Sequence, residues 1–173
     1  MAKKVLIAYY SRRGENYVNG SIKNLKLGNT EVVVSKIQSL LPDADVFHID
    51  TTYEYSKSYM TCIEEAKQEL RNQARPEVKN PLESIEEYDT IILGYPNWGG
   101  TMPMVCYTFL ESYDFTGKTI IPLCTNEGSG MGSSVRFIRK LCPGATVTDG
   151  ISIHGAEAAY ADSEAQEIAD LAR

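Results

Sequence analysis

The sequence predicts an α/β protein: a doubly wound, five-stranded parallel sheet between two layers of helices. Three observations lead to this prediction. Short apolar runs recur along the whole chain, and each has the length and continuity of a strand covered on both faces. Each run is followed by a stretch with helical periodicity. Such strict alternation requires right-handed crossovers, and these produce a parallel sheet in a three-layer α/β/α arrangement.

The predicted elements alternate in chain order. The clearest strand covers residues 4–10, which read KVLIAYY and are expected at the centre of the sheet. The other predicted strands are 45–49, 90–95, 119–124 and a weaker 146–153. The predicted helices are 30–41, about 59–73, 104–112, 133–141 and 163–172. This pattern favours the strand order 2-1-3-4-5 in a single domain that spans residues 1–173.

Composition narrows the classes of function. Hydrophobic residues make up 43% of the chain, enough for one sizeable core. The 17 Lys and Arg against 23 Asp and Glu give a formal charge of −6, which disfavours nucleic acid and anionic membranes as partners. No apolar run approaches the roughly 18 residues of a membrane span, and no leader is evident at the N-terminus. We therefore expect a soluble, cytoplasmic protein.

The cysteines and histidines do not form a catalytic or metal-binding pattern. Cysteines occur at 62, 106, 124 and 142 without a Cys-x-x-Cys pair, so we expect buried free thiols rather than a metal site or disulfides. His48 and His154 stand alone and are expected to be structural. The charges between Glu64 and Arg71 are typical of a solvated helix face. The sequence therefore predicts no catalytic residues.

Three loops are expected to meet at the carboxyl ends of the strands, where ligands bind in such sheets. They are residues 11–30, 96–103 and 125–132, all rich in Gly, Ser, Thr or Asn. Two connections are unusually long: residues 14–27, and residues 51–58, where Tyr53, Tyr55 and the neighbouring Tyr59 cluster. These tyrosines either cover a ligand or simply pack on the surface with their hydroxyls in water.

The first loop has the composition of a phosphate site but lacks the common phosphate motifs. Neither a Walker A sequence nor a G-x-G-x-x-G fingerprint is present. Ser11 at a strand end, with Asn29 and Thr30 at a helix start, can surround a phosphate with hydroxyls and backbone N–H groups. The alternative is that Thr30 acts only as the N-cap of the helix.

Taken together, the three loops resemble those of a known family. They read Ser11-Arg12-Arg13 with Gly28-Asn29-Thr30, then LGYPNW at 93–98 with Pro103 downstream, then TNEGSG at 125–130. These segments are similar to the flavin-binding loops of short-chain flavodoxins, and the resemblance spans nearly the whole chain. In that family the first loop usually reads S-x-T-G-N-T without interruption. Here residues 14–27 look like an insertion that splits it, as in one branch of the flavodoxin-like group.

The resemblance implies a flavodoxin-like fold with FMN as the cofactor. Ser11, Gly28, Asn29 and Thr30 match the phosphate loop position by position, and Arg13 is a further candidate beside the break. The complete set of implied FMN contacts is Ser11, Arg13, Gly28, Asn29, Thr30, Pro96, Asn97, Trp98, Gly99, Thr125, Asn126, Gly128, Ser129 and Gly130.

The chemistry of the second and third loops agrees with a flavin. An isoalloxazine ring needs a flat apolar partner and polar groups along its rim. Trp98, the only tryptophan, lies in a Pro/Asn/Gly loop where a core tryptophan is uncommon, and Gly99 and Gly100 allow close backbone approach. The hydroxyls and amides of residues 125–132 suit the polar rim, although the glycines there also suit a simple turn.

Two functions follow from the resemblance. The first is a monomeric electron carrier whose acidic surface meets redox proteins with basic docking surfaces. The alternative is an FMN-dependent NAD(P)H:quinone-type oxidoreductase, favoured by the insertion and the tyrosine-rich loop, which together can roof a substrate pocket. A third reading, a module that binds partners without FMN, is disfavoured by Asn29, Thr30 and Trp98.

Overall fold

The computed structural model describes residues 3–173 and shows helices on both faces of one parallel sheet. The strands in chain order are β1 (Val5–Tyr9), β2 (Gly14–Val18), β3 (Ser21–Leu25), β4 (Asp45–His48), β5 (Thr90–Pro96), β6 (Thr119–Asn126), β7 (Thr146–Val147) and β8 (Ile151–His154). In the sheet β4, β1, β5 and β6 lie side by side, and β7 and β8 share the fifth position beside β6. The predicted fold and strand order are confirmed.

The helices divide the core into two parts. They are α1 (Asn29–Leu40), α2 (Tyr59–Arg71), α3 (Met104–Glu111), α4 (Ser134–Leu141) and α5 (Asp162–Ala172), with a 3₁₀ helix at Gly155–Tyr160 before α5. On one face of the sheet, α1 and α5 pack Ile37 and Ile168 against Ile7. On the other face, α3 and α4 pack Phe109 and Ile138 in a second cluster. Every residue of β1 is buried, as its continuous apolar run predicts.

The fifth predicted strand is interrupted. Residues 146–153 divide into β7 and β8, and Gly150 between them has a φ of +82°, a conformation that a regular strand cannot contain. Both halves still pair with β6 in parallel, so the order of the sheet is kept.

The predicted insertion at 14–27 contains a β-hairpin of its own. Strands β2 and β3 pair only with each other and are joined by Asn19 and Gly20, whose φ angles are 52° and 89°. Positive φ at both positions is what a type I′ turn requires, and Asn-Gly is its preferred sequence. This dipeptide between two five-residue strands was the signal for a hairpin, which the sequence analysis missed.

The remaining expectations concern single residues and segments. All four cysteines are buried and free. His48 stacks on Tyr9 with ring centroids 4.9 Å apart, which agrees with a structural role. Within residues 3–173, no helix is long and apolar enough to cross a membrane.

Candidate functional site

A cleft with a volume of about 170 Å³ lies at the carboxyl ends of β1, β5 and β6. The three predicted loops all contribute to its walls. The predicted site residues that line it are Ser11, Asn29, Thr30, Pro96, Asn97, Trp98, Thr125, Asn126 and Ser129.

One end of the cleft is formed by the N-terminus of α1. Its N-cap is Gly28, which has no side chain to cap the helix, and Ser11 Oγ instead accepts a hydrogen bond from the Glu31 N–H at 3.1 Å. A Cβ on Gly28 would lie 2.5 Å from the carbonyl oxygen of Arg12, so this close approach requires glycine. The helix therefore directs its partial positive charge into the cleft, as anion sites do.

Thr30 lies in the first turn of α1 rather than at its N-cap, so the alternative role predicted for it is wrong. Its hydroxyl is 2.7 Å from the hydroxyl of Thr125, and both side chains are buried. The contact joins the first loop to the end of β6. It also places two hydroxyls side by side next to the helix N-terminus.

Asn97 ties the second loop to the third. Its side-chain Nδ2 donates to the carbonyl of Gly130 at 2.9 Å, and its Oδ1 accepts from the N–H of Gly100 at 2.8 Å. Its own backbone N–H donates to the carbonyl of Thr125 at 2.8 Å. Asn97 therefore connects the two loops through both its side chain and its backbone.

Trp98 forms part of another wall of the cleft. It is half-buried, and Tyr10 and Tyr55 meet it edge-on with ring centroids 5.1 and 5.4 Å away. These contacts fix the position of the indole, which still lines the cleft. Trp98 thus both packs against buried aromatic side chains and lines the cleft.

Glu127 is a charged residue of the cleft that the sequence analysis did not single out. Its Oε2 lies 2.7 Å from His154 Nε2 and accepts from the Asn19 N–H at 3.3 Å. Its Oε1 is buried and has no hydrogen-bond partner within residues 3–173. A buried carboxylate oxygen without a donor is costly. The cleft therefore contains an acceptor suited to a donor group on a ligand.

The β2–β3 hairpin and the start of α2 together form one wall of the cleft, which we call the roof. Arg12 donates to the carbonyls of Glu15, Ser56 and Lys57 at 2.9, 2.9 and 3.1 Å, which fastens the hairpin to the loop before α2. Glu15 Oε1 accepts from the N–H of Tyr59 at 2.9 Å. The hairpin thus spans the cleft, from α2 at its base to Glu127 at its tip.

Two tyrosines belong to this roof, Tyr17 on β2 and Tyr59 on α2. The rings of Tyr17 and Tyr59 stack with centroids 6.2 Å apart, and both line the cleft. Burial raises the pKa of Tyr59, so its hydroxyl stays protonated at neutral pH. Tyr53 instead is exposed and donates to Glu65. Tyr59, which the sequence analysis considered as a cover for a ligand, lines the cleft. The other cleft residues outside the predicted set are Arg12, Asn16, Tyr17, Glu127 and Gly155.

The structure does not bring every predicted residue into the cleft. Arg13 points outward and forms two hydrogen bonds to Glu31, at 2.9 and 2.6 Å. The hydrogen bond from Arg13 holds the pKa of Glu31 below its usual range. Gly28, Gly128 and Gly130 shape the loops without lining the cleft, and Gly99 lines a neighbouring cavity.

A family model described as Flavodoxin matches residues 4–165. The chain belongs to the flavodoxin family. The predicted family resemblance is therefore confirmed. No curated protein sequence matches the chain.

Solved structures share the fold over most of the chain. A protein from Bacteroides uniformis, named as a flavoprotein, is 25% identical, with a TM-score of 0.76 over 96% of this chain and 99% of that one. One from Bacteroides eggerthii, also named so, is 24% identical, with a TM-score of 0.71 and coverage of 93% and 97%. A flavoprotein from Lactobacillus acidophilus in complex with FMN is 21% identical, with a TM-score of 0.64 and coverage of 90% and 96%.

Proposed function

We propose that this flavodoxin-family protein binds FMN in the cleft and carries electrons between redox proteins. The observation that carries the proposal is that one cleft contains both a helix N-terminus whose N-cap residue is glycine and a wall formed by a tryptophan. FMN has a dianionic phosphate at one end and a flat ring at the other.

The residues of the cleft fit each part of FMN. The α1 N-terminus, with the hydroxyls of Ser11, Thr30 and Thr125, suits the phosphate. The indole of Trp98 suits the ring. Glu127 Oε1, which needs a donor, suits a ribityl hydroxyl. Bound FMN supplies reversible electron transfer, while the protein supplies binding, orientation and electrostatics.

The charge of the chain supports the role of carrier. At −6, the protein is attracted to partners with basic docking surfaces, and such steering raises the rate of encounter at low ionic strength. We therefore propose redox proteins with basic docking surfaces as its partners.

A second candidate function rests on the roof of the cleft. The hairpin, held by Arg12 and the Tyr17–Tyr59 stack, encloses space that a carrier does not need. An FMN-dependent NAD(P)H:quinone-type oxidoreductase needs such an enclosure to seat a substrate against the ring.

FMN binding is tested by titration. Purified protein is expected to quench the fluorescence of FMN and to shift its visible absorption, with one site per chain. A titration in which neither signal changes would sink the proposal.

Stopped-flow mixing separates the carrier from the enzyme. For a carrier, reduction of the bound flavin by NADH or NADPH alone is slow. Reduction by a flavoprotein reductase is fast, and that rate falls as salt screens charges over a Debye length of about 8 to 10 Å. Rapid, saturable bleaching by NAD(P)H that is insensitive to ionic strength, followed by turnover with a quinone, would establish the oxidoreductase instead.

A further inference from the structure

A second cavity, with a volume of about 200 Å³, adjoins the cleft. It lies between α2 and the loop after β5. Arg12, Tyr59 and Trp98 line both spaces, so the two cavities meet along a shared wall.

The far wall of this second cavity is apolar and belongs to α2. Ile63, Ala66 and Leu70 line it and are only half-buried. Cys62, the one buried residue of α2, completes the wall. Burial raises the pKa of the Cys62 thiol, which keeps it neutral and weakly polar. With Tyr59 of the same helix and Trp98 of the loop after β5 also lining it, the space suits a flat apolar ring.

The charge of this cavity is opposite to that of the protein. Among the described residues that line it, Arg12 and Lys67 are charged and none is acidic, whereas the whole chain carries −6. The partners of Arg12 are backbone carbonyls, and within residues 3–173 no carboxylate forms an ion pair with it. Lys67 pairs with Glu64 at 3.6 Å, but both side chains are more than half exposed, so this pair is weak.

We propose that the second cavity binds a flat aromatic molecule that carries a negative charge, of the aryl carboxylate class. The ring packs between the α2 wall and Trp98, and the carboxylate faces Arg12 and Lys67. The inference rests on the proposed function, because this ligand would lie against the side chains that border the FMN cleft. The proposed aryl carboxylate is a different molecule from FMN, and the protein binds the two at the same time.

The test is isothermal titration calorimetry of the FMN-saturated protein with 2-naphthoate, and with 2-naphthamide as a neutral ligand of the same shape. We expect one naphthoate per chain, bound about tenfold or more tightly than the amide. Equal affinities would overturn the assignment of a negative charge. No binding of naphthoate, or binding only when FMN is absent, would overturn the second site.

Substitutions on α2 test whether naphthoate binds in the second cavity. Ala66→Phe fills the cavity and is expected to abolish naphthoate binding while leaving the FMN dissociation constant unchanged. Gln68→Phe adds the same ring at an exposed position of the same helix outside the cavity, and should alter neither. Loss of FMN binding in Ala66→Phe alone would show that the cavity belongs to the cofactor site.

A milder variant keeps the test valid if Ala66→Phe does not fold. Lys67→Gln is expected to lower the preference for naphthoate over naphthamide by about threefold, since Lys67 is largely exposed. An unchanged preference would remove Lys67 from the site. If FMN itself does not bind, the same titrations on the protein alone decide the second cavity, so the two proposals fail separately.

Discussion

The two cavities that share Trp98 are built from different parts of the fold. The cleft is lined mainly by loop backbone and small polar side chains at the ends of β1, β5 and β6. The second cavity is lined mainly by side chains of α2, with Arg12 and residues of the loop after β5. The geometry of the first therefore follows from the sheet, whereas that of the second follows from how α2 and the hairpin are held.

This difference implies different tolerance to change. In the cleft, close backbone approach at Gly28 and the buried Thr30–Thr125 contact leave little room for other side chains. In the second cavity, half-buried residues of one helix can be exchanged with less effect on the fold. Variants in each part should thus affect one ligand and spare the other.

The largest effect is expected from Gly28→Ala. The new Cβ would lie 2.2 Å from Ser11 Oγ and 2.5 Å from the Arg12 carbonyl oxygen, so the phosphate end must shift. We expect FMN affinity to fall more than about 100-fold and stability to fall by about 1 to 3 kcal/mol, with naphthoate binding kept. Calorimetry and thermal unfolding measure both effects.

Gly117→Ala is the control for that experiment. Gly117 has a φ of +80° and open space around it, so alanine there is strained but meets no neighbour. It should lower stability and leave FMN affinity intact. FMN binding of wild-type strength in Gly28→Ala would contradict the placement of the phosphate.

Thr30→Val removes one hydroxyl and keeps the shape of the side chain. Loss of a charge-assisted hydrogen bond should weaken FMN by about 1.5 to 3 kcal/mol, roughly ten- to a hundredfold, with little change for riboflavin, which has no phosphate. Thr90→Val is the control variant. Thr90 is as buried as Thr30, at 1% exposure, and lies at the end of β5 away from the cleft. An equal loss for riboflavin and FMN would place the phosphate elsewhere.

The contrast between the cavities also explains what the sequence could predict. Continuous apolar runs determine the sheet, and the order of a doubly wound sheet brings the loops after β1, β5 and β6 together. Ser11, Thr30, Trp98 and Thr125 were therefore identifiable as neighbours before any coordinates. Their function as FMN contacts stays a prediction.

The roof and the second cavity depend on contacts that no local pattern shows. Arg12 joins the hairpin to Ser56 and Lys57, far away in sequence, through backbone carbonyls that any residue can provide. The Asn19-Gly20 turn predicts a hairpin but not where it packs. The orphaned Glu127 Oε1 likewise becomes visible only when all its surroundings are in place.

Trp98→Ala is expected to affect both ligands, because the indole borders both cavities. Aromatic stacking contributes about 0.5 to 1.5 kcal/mol beyond the burial of area, so FMN, riboflavin and naphthoate should each weaken about tenfold. Trp98→Phe should restore part of each. In the unaltered protein, FMN should quench the emission of this single tryptophan, and unchanged emission at saturation would remove Trp98 from the ring site.

The smallest effect is expected from Arg13→Gln, which lies outside both cavities. Arg13 is largely exposed, so its pair with Glu31 is screened by water and salt, and FMN and naphthoate affinities should change by less than about threefold. A loss of FMN affinity as large as that in Thr30→Val would instead make Arg13 a phosphate ligand.

The contribution of the Arg13–Glu31 pair should be clearer in the pH dependence of protein stability than in ligand affinity. Arg13 holds the pKa of Glu31 below that of an unfolded glutamate, about 4.3, so folding is favoured while the carboxyl is ionised. The stabilisation is present above that value and is lost as the pH falls through the lowered pKa of the folded protein. Denaturant unfolding at pH 7 should therefore show wild type slightly more stable than Arg13→Gln, and the difference should vanish in acid. A difference that persists after Glu31 is protonated would mean that Arg13 acts through packing rather than charge.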